Sequence, residues 1–286
     1  MKTIHCSIIG TTTSVWFLLL SLTYAACTTA ESLNADCWKL TFSDEFNHLH
    51  LRDGDKGIWK TSYIWGNEKV INNELQYYID PRIHGESPFK INSGQLIIQA
   101  KPATPSLRKR IRGRRYTSGL ITTENSFSQR YGRFELRAML PAGRGLWPAF
   151  WLLPAISKWP EGIDVLPEID IMEFLGHHPD IYYSSVHTNQ SGKLKSFSNR
   201  NTAPGNLTTS YHIYGIEWNA REIKWFLDGK LMDRKPTPKD LNTPMIIQIN
   251  LAVGGHWPGN PDAATKFPAE FRIDYVRAYQ RNSNCR

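Results

Sequence analysis

The sequence predicts an all-β fold, a β-sandwich of the jelly-roll kind, on three observations. First, about a dozen short segments rich in β-branched and aromatic residues are separated by Gly, Pro, Asn and Asp turn signals. Second, helical periodicity is almost absent along the chain. Third, residues 245–253 form a mainly apolar run, as expected for a strand inside a packed sandwich. A chain of 286 residues with 41% hydrophobic content is long enough for one such domain.

The individual strands follow from apolar and polar residues that alternate with a period of two. In residues 131–139 the side chains of Phe134, Leu136 and Ala138 share one face, and charged residues occupy the other. The dipeptide at 228–229, Asp-Gly, follows an alternating run and predicts a tight hairpin turn. Further strands are predicted at residues 38–42, 95–100, 116–123, 183–188, 211–218, 222–227 and 271–279.

Residues 168–173 carry three carboxylates in a strand-like segment, Glu-Ile-Asp-Ile-Met-Glu. Glu168 and Asp170 are two positions apart and therefore share a face. Glu173 is five positions from Glu168, so in a regular strand its carboxylate would point into the core, which is costly. A β-bulge at Ile171–Met172 adds the one residue that restores the parity. We therefore expect all three acids on one surface.

Three acids on one surface suit glycoside hydrolysis. A retaining enzyme needs a nucleophilic carboxylate and a carboxylic acid about 5–5.5 Å apart. Asp170 lies between Glu168 and Glu173, and its negative charge is expected to raise the pKa of Glu173 and keep it protonated. The alternative is an exposed strand whose acids are merely solvated, although three crowded acids repel one another.

The segment at 168–173 resembles the active-site motif of glycoside hydrolase family 16, in the bulged form typical of its laminarinase-like branch of endo-β-1,3-glucanases. The resemblance implies a concanavalin A-like jelly roll with a concave substrate cleft. It implies that Glu168 is the nucleophile, Glu173 the acid/base and Asp170 their electrostatic partner. The expected reaction is endo-acting, retaining cleavage of β-1,3-linked or mixed β-1,3-1,4 glucans through a covalent glycosyl-enzyme.

Flanking segments also resemble this family and imply substrate-binding residues. Residues 72–78 resemble its Asn-x-Glu-x-Gln-x-Tyr segment and implicate Asn73, which could otherwise be a turn residue. The Gly-Leu-Trp-Pro-Ala-Phe-Trp segment implicates Trp147 and Trp151, which as isolated residues would be core. His187 falls where the family has a cleft histidine, and the loop at 254–259 presents Trp257.

No cofactor is expected for catalysis. Glu45 and Asp274 match positions that hold a structural calcium in many relatives, so the resemblance implies a calcium site there. Two carboxylates supply only a minority of the six to eight oxygens that calcium takes.

Two other functions remain open at this stage. One is a hydrolase of a charged galactan of the carrageenan or agar type, and the other is a non-catalytic glucan-binding protein on the same fold. Five arginines and a lysine in residues 108–115 contribute to the net charge of +8 and give the galactan slight support. We expect this basic run to be a solvated loop rather than a nucleic-acid patch. Residues 161–166, inserted relative to many family members, would lie beside the catalytic strand and alter the shape of the subsites that select the linkage.

The N-terminus predicts export. Residues 1–26 have a positive start, an apolar centre and small residues at the end, as in a signal peptide too short to span a membrane. A polar linker at 27–36 and a single catalytic domain at 37–286 would follow. Cys27 offers a lipid anchor as an alternative to plain secretion. The expected location is secreted, periplasmic or at the cell envelope, and the expected oligomeric state is a monomer.

In an exported protein, the two cysteines near the ends of the predicted domain favour a disulfide. Cys37 and Cys285 would pair and tie the two ends together.

Overall fold

The computed structural model describes residues 37–156 and 166–284, and strands dominate them. The chain divides into a main unit, Leu40–Gln280, and a small unit made of the chain ends. Of the small unit, only residues 37–39 and 281–284 are described. The layers, core and cavity reported below belong to the main unit.

Sixteen strands and two short helices occur among the described residues. The strands are β1 (Trp38–Asp44), β2 (Gln76–Tyr78), β3 (Phe89–Ile91), β4 (Leu96–Pro102), β5 (Tyr116–Ser118), β6 (Leu120–Thr122), β7 (Gly132–Met139), β8 (Leu146–Pro154), β9 (Glu168–Phe174), β10 (Ile181–Thr188), β11 (Lys195–Thr202), β12 (His212–Trp218), β13 (Glu222–Leu227), β14 (Lys230–Pro236), β15 (Met245–Val253) and β16 (Ala269–Arg281). The helices are α1 (Pro81–His84) and α2 (Pro105–Arg110).

The described strands form two sheets, and the predicted β-sandwich is confirmed. The larger sheet has the order β14-β13-β12-β7-β16-β4-β5-β2, with β1 added on β16 and β3 on β4. The smaller sheet has the order β11-β10-β9-β8-β15-β6. Non-consecutive strands are neighbours in both sheets, which is typical of jelly rolls.

The core lies between the sheets because one face of each strand is apolar. On β7 the alternation is confirmed, with Phe134, Leu136 and Ala138 fully buried. On β8 the side chains of Phe150 and Leu152 join the same core cluster. Leu146, at the start of β8, joins it as well, whereas Trp147, Ala149, Trp151 and Leu153 lie on the opposite face of the smaller sheet.

The hairpin predicted around residues 228–229 is confirmed. Asp228 and Gly229 adopt positive φ angles of 50° and 78°, the left-handed backbone that a two-residue turn of type I′ requires. The turn joins β13 and β14, which pair antiparallel.

The single strand predicted at residues 116–123 is wrong, because the chain changes sheets at Gly119. β5 belongs to the larger sheet and β6 to the smaller one. A Cβ at Gly119 would lie 2.6 Å from Phe89 Cε1 and 2.8 Å from Ile98 Cγ2. Only a residue without a side chain lets the backbone cross so close to its neighbours.

The basic run at residues 108–115 is only partly the solvated loop that was predicted. Its first residues lie in α2, which Thr104 caps at the N-terminus. The guanidinium of Arg110 donates hydrogen bonds to the backbone oxygens of Ile83 and His84, at 2.7 and 3.0 Å. Arg114 donates to the backbone oxygen of Glu74 at 2.7 Å. These contacts hold two arginines of the run against the backbone of distant segments.

Several predictions from the chain ends lie outside the described residues. They concern the signal segment at 1–26, the linker at 27–36 with Cys27, and Cys285. Cys37 is disulfide-bonded, and its pairing with Cys285 stays a prediction. Most of the inserted segment at 161–166 also lies in the undescribed residues 157–165. No helix in the described parts of the chain is long and apolar enough to cross a membrane.

Candidate active site

One face of the smaller sheet lines an open cavity of about 600 Å³. All three predicted catalytic acids line it, together with other side chains of β8, β9, β10, β11 and β15. The lining residues of these strands are Trp147, Ala149, Trp151, Leu153, Glu168, Asp170, Glu173, Ser185, His187, Ser196, Ser198, Asn250 and Ala252. Loops complete the wall with Tyr63, Trp65, Lys69, Ile71, Asn72, Glu74, Leu166, Leu194 and Trp257.

The predicted bulge at Ile171–Met172 is present on β9. Relative to β8, Asp170 pairs with Trp151 and Met172 with Phe150, so one residue of β9 has no counterpart. The same shift appears against β10. Ile171 and Met172 both enter the core cluster between the sheets. Two consecutive residues thus face inward, and Glu173 returns to the cavity side.

Each of the three acids has a close polar neighbour. Asp170 is 2% exposed, and its Oδ2 lies 3.0 Å from His187 Nε2. The carboxyl group of Asp170 also lies close to that of Glu168 and raises its pKa. Glu173 Oε1 accepts a hydrogen bond of 3.2 Å from Trp147 Nε1. The acids therefore lie among polar partners from β8 and β10.

The surroundings favour the protonated forms of the two glutamates. Burial raises the pKa of Glu173 well above its ordinary value, and the charge of Asp170 raises it further, while the Trp147 hydrogen bond lowers it in part. Burial also raises the pKa of Glu168, with additional contributions from Asp170 and Glu173. A neutral Glu173 near neutral pH is the form in which a carboxyl group can act as a general acid.

Three aromatic rings form a corner beside Glu173. The ring centres of Trp147 and Trp257 are 5.3 Å apart at an interplanar angle of 89°. Tyr183 and Trp257 are 4.7 Å apart at 64°. Trp257 is 40% exposed, so a large apolar surface remains open to the cavity. Such surfaces suit the apolar faces of sugar rings.

The other predicted tryptophan, Trp151, lies deeper in the cavity floor. It is 8% exposed, and its Nε1 donates a 2.8 Å hydrogen bond to Asn250 Oδ1. Asn250 in turn donates to the hydroxyl of Tyr78 at 3.0 Å. A second aromatic pair, Tyr63 and Trp65, stacks at 4.4 Å in the wall. No motif in the sequence singles out Tyr63, Trp65 or Asn250 as site residues.

His187 orients Asp170 rather than standing free in the cavity. Its Nδ1 lies 2.7 Å from Ser196 Oγ, and its Nε2 contacts Asp170. Burial lowers the pKa of His187, but the hydrogen bond and charge of Asp170 outweigh it, so the pKa is raised above its ordinary value. The contact with Asp170 thus favours the protonated form of His187. Glu168, Asp170 and His187 also have the spacing of a metal site, within 4.8 Å, but their mutual hydrogen bonds occupy these atoms.

Asn73 lies outside the residues that line the cavity, although the sequence predicts it as a substrate ligand. Its Nδ2 lies 2.7 Å from His256 Nε2, next to Trp257 in sequence. Asn72, one residue earlier, does line the cavity, and its backbone oxygen accepts a hydrogen bond from His256 N at 3.0 Å. Asn73 therefore contacts the loop that carries Trp257.

Glu74 is a cavity carboxylate that the sequence analysis missed. It is 7% exposed, and its two oxygens accept hydrogen bonds from Asn72 Nδ2 at 3.1 Å and Gln76 Nε2 at 2.6 Å. Burial raises its pKa to about 7, against the lowering effects of Gln76, Asn72 and Arg114. The signal for its position was the polar run at residues 72–76, Asn-Asn-Glu-Leu-Gln, directly before the aromatic residues of β2.

The raised pKa of Glu74 predicts that stability falls as the pH rises. Between its ordinary pKa of 4.5 and about 7, folded Glu74 retains a proton that the unfolded chain has lost. Its contribution to stability is therefore complete below pH 4.5, falls through this window and is lost above about pH 7. The Glu74→Gln variant mimics the protonated form and lacks this titration.

The free energy of unfolding, measured with denaturant at pH 5 and pH 8, tests this expectation. Between these pH values the wild type should lose on the order of 3 kcal/mol more than the Glu74→Gln variant. Comparing the two proteins cancels the titration of the other buried acids. An equal loss in both proteins would contradict the assignment.

The two predicted calcium ligands form ion pairs with arginine instead. Glu45 makes two hydrogen bonds of 2.8 Å with the guanidinium of Arg277. Asp274 pairs with Arg137. A guanidinium bound to each carboxylate repels a cation and takes up the oxygens that would ligate it. These residues do not fit a calcium ion, and the prediction of a site there is not supported.

Comparisons with known proteins agree with this geometry. The profile of the family described as glycosyl hydrolases family 16 matches residues 60–277. An endo-1,3-1,4-β-glycanase of Rhizobium meliloti is 38% identical over 275 residues, which cover 91% of this chain and 57% of that protein. The chain thus spans little more than half of that relative. A β-glucanase of Rhodothermus marinus is 36% identical over 265 residues, and the match covers 85% of this chain and 85% of that protein.

Among solved structures, the laminarinase catalytic domain of Thermotoga maritima is similar, with a TM-score of 0.72 and 33% sequence identity. The match covers 86% of this chain and 99% of that domain. The profile match, the sequence identities and the shared fold show that the chain belongs to glycosyl hydrolases family 16.

Proposed function

We propose that the chain is an endo-acting, retaining β-glucanase that cleaves β-1,3 linkages, including those of mixed β-1,3-1,4 glucans. The observation that carries this proposal is the bulged strand β9, which brings Glu168, Asp170 and Glu173 to one face of an open cavity with aromatic walls. The choice of β-1,3 linkages draws on the names of the relatives, which include β-glucanases and laminarinases.

In the first step, Glu168 acts in its ionised form, and one of its carboxylate oxygens attacks the anomeric carbon of the glucan. Glu173 gives its proton to the leaving glycosidic oxygen, so the leaving sugar lies beside Trp147 and Trp257. The products are a covalent glycosyl-enzyme and a shortened glucan with a new hydroxyl group. The raised pKa of Glu173 supplies the proton near neutral pH.

In the second step, Glu173 is a carboxylate and takes a proton from water. The resulting hydroxide attacks the anomeric carbon, releases Glu168 and restores the original anomeric configuration. Asp170 and His187 stay hydrogen-bonded and hold the charge beside Glu168 nearly constant. The reaction uses only water and side chains of this chain.

A galactan hydrolase is the main alternative in substrate. Support for it in the sequence came from the basic run at residues 108–115, but none of these residues lines the cavity. Among the described residues, Lys69 is the only lysine or arginine that does. A non-catalytic binding protein has no need for the buried acid cluster, whose burial costs free energy.

Release of reducing ends from laminarin, lichenan, agarose and κ-carrageenan, measured in parallel, tests the proposal. We expect rapid release from laminarin, slower or equal release from lichenan, and a ladder of product sizes from the endo mode of attack. Activity confined to agarose or κ-carrageenan would overturn the glucan assignment. No release from any of the four by the folded protein would overturn the enzymatic proposal.

We also propose that the protein is exported. Support comes from the disulfide at Cys37, since disulfides persist mainly in oxidising compartments. Fractionation of expressing cells, with detection of the mature N-terminus by mass spectrometry, would distinguish cleavage after residue 26 from retention of the full chain. Lipidation of Cys27 would appear in the same spectrum as an added acyl mass.

A further inference from the structure

The catalytic strand is contacted from the opposite sheet at its bulge. Trp225 lies on β13 of the larger sheet and is fully buried. Its Nε1 donates a 2.9 Å hydrogen bond to the backbone oxygen of Asp170. Asp170 directly precedes Ile171 and Met172, where the register of β9 shifts. The hydrogen bond therefore crosses the core and ends at the start of the bulge.

The direction of this carbonyl group is unusual for a strand. In a regular strand the carbonyl lies in the plane of the sheet and bonds a neighbouring strand. An indole from the facing sheet reaches only a carbonyl that is turned toward the core. A bulge disrupts the ladder in this way, and a buried carbonyl needs a partner. Trp225 supplies that partner for Asp170.

The bulge sets the relation between the two glutamates. Because Ile171 and Met172 both face the core, Glu173 regains the cavity side that it shares with Glu168. If the backbone at Asp170 relaxed toward the regular ladder, the direction of Glu173 would change with it. A displacement of about 1 Å between reacting groups can cost on the order of 100-fold in rate.

A second tryptophan of the same sheet lacks this contact. Trp218 lies on β12, next to β13, and is 2% exposed. Its buried Nε1 has no hydrogen-bond partner within the described part of the chain. The two indoles therefore differ in the contact with β9, and Trp218 is a matched control for Trp225.

We propose that Trp225 is a positioning residue that holds Glu173 in register with Glu168 through its hydrogen bond to the Asp170 carbonyl. It has this role only if the chain is the retaining glucanase proposed above. Trp225 does not line the cavity and so acts through the backbone of β9 rather than on the substrate.

The variants Trp225→Phe and Trp218→Phe test this role on laminarin. Phenylalanine removes the N–H donor in both variants. At position 225 it also keeps an aromatic face for the Lys235 ammonium, which lies 5.7 Å from the Trp225 ring centre. We expect Trp225→Phe to lower kcat on the order of tenfold with KM changed less than about twofold. Trp218→Phe should change either constant by less than about twofold.

The pH dependence of kcat/KM gives a second readout that a purely structural role would not move. The alkaline limb reports Glu173, whose pKa depends on burial and on the charge of Asp170. In Trp225→Phe this limb should move to lower pH as Glu173 becomes more exposed. In Trp218→Phe it should stay in place.

If Trp225→Phe does not fold, β-(3-benzothienyl)alanine at position 225 keeps the bicyclic ring and replaces the N–H by sulfur. The same loss of kcat is expected. Suppose that the wild type cleaves glucan and that a folded variant at position 225, with phenylalanine or with the benzothienyl residue, has the kcat and pH profile of Trp218→Phe. This result would overturn the inference. A wild type that cleaves no glucan would instead overturn the proposed function, and the role of Trp225 with it.

Discussion

Replacing Glu168 with glutamine should lower kcat on laminarin by at least about 10³-fold and leave glucan binding intact. Glutamine has nearly the shape of Glu168 and keeps a hydrogen bond to Asp170, but its amide does not attack the anomeric carbon. The glycosyl-enzyme then never forms. Reducing-end release measures the rate, and affinity electrophoresis in laminarin measures binding.

The control for Glu168→Gln is Glu217→Gln, on β12 of the opposite sheet and outside the cavity lining. It makes the same chemical change and should keep wild-type activity.

The smaller variant Glu168→Ala leaves space for azide. On a substrate with a nitrophenyl leaving group, azide should restore turnover and give the glycosyl azide of inverted configuration. Near-normal activity of Glu168→Gln would show that another group is the nucleophile.

Replacing Glu173 with alanine should lower kcat/KM on laminarin by about 10²- to 10⁴-fold, the usual contribution of a general acid. The loss should depend on the leaving group. A sugar alcohol needs the proton of Glu173 as its oxygen departs, whereas a nitrophenolate leaves without one. A nitrophenyl glycoside should therefore still form the glycosyl-enzyme quickly, and a burst of nitrophenol followed by slow turnover should appear.

The pH profile of Glu173→Ala provides its own control. In the wild type the alkaline limb of kcat/KM reflects ionisation of Glu173, whose pKa is raised by burial and by Asp170. This limb should be absent in the variant, and the acidic limb from Glu168 should remain. Azide should now give the product of retained configuration, because it enters on the side that Glu173 vacated. An equal loss on laminarin and on the nitrophenyl substrate would contradict the acid/base role.

Much of this site follows from local patterns in the sequence. Without a bulge, the carboxylate of Glu173 would point into the core, away from Glu168 and Asp170, which is costly. The bulge lies at the predicted place. Alternation predicts the inward face of strands such as β7, because successive side chains point to opposite faces and the apolar ones turn to the core. The acid cluster and the sandwich could therefore be expected from neighbouring residues alone.

Contacts between distant segments could not be predicted in this way. The ion pairs of Glu45 with Arg277 and of Asp274 with Arg137 replace the expected calcium site, and each joins residues more than a hundred positions apart. Gly119 interrupts a predicted strand because the side chains of Phe89 and Ile98 pack against its backbone. The burial that raises the pKa of Glu74 likewise depends on the loops around it. Local propensity carries no information on such neighbours.

The configuration of the first product formed tests the central claim most directly. Proton NMR of laminarin hydrolysis, recorded before mutarotation equilibrates the anomers, distinguishes the two stereochemical outcomes. The geometry of Glu168 and Glu173 predicts that the β-anomer appears first and the α-anomer only later. Initial formation of the α-anomer would mean a single displacement by water, and Glu168 would then not be a nucleophile.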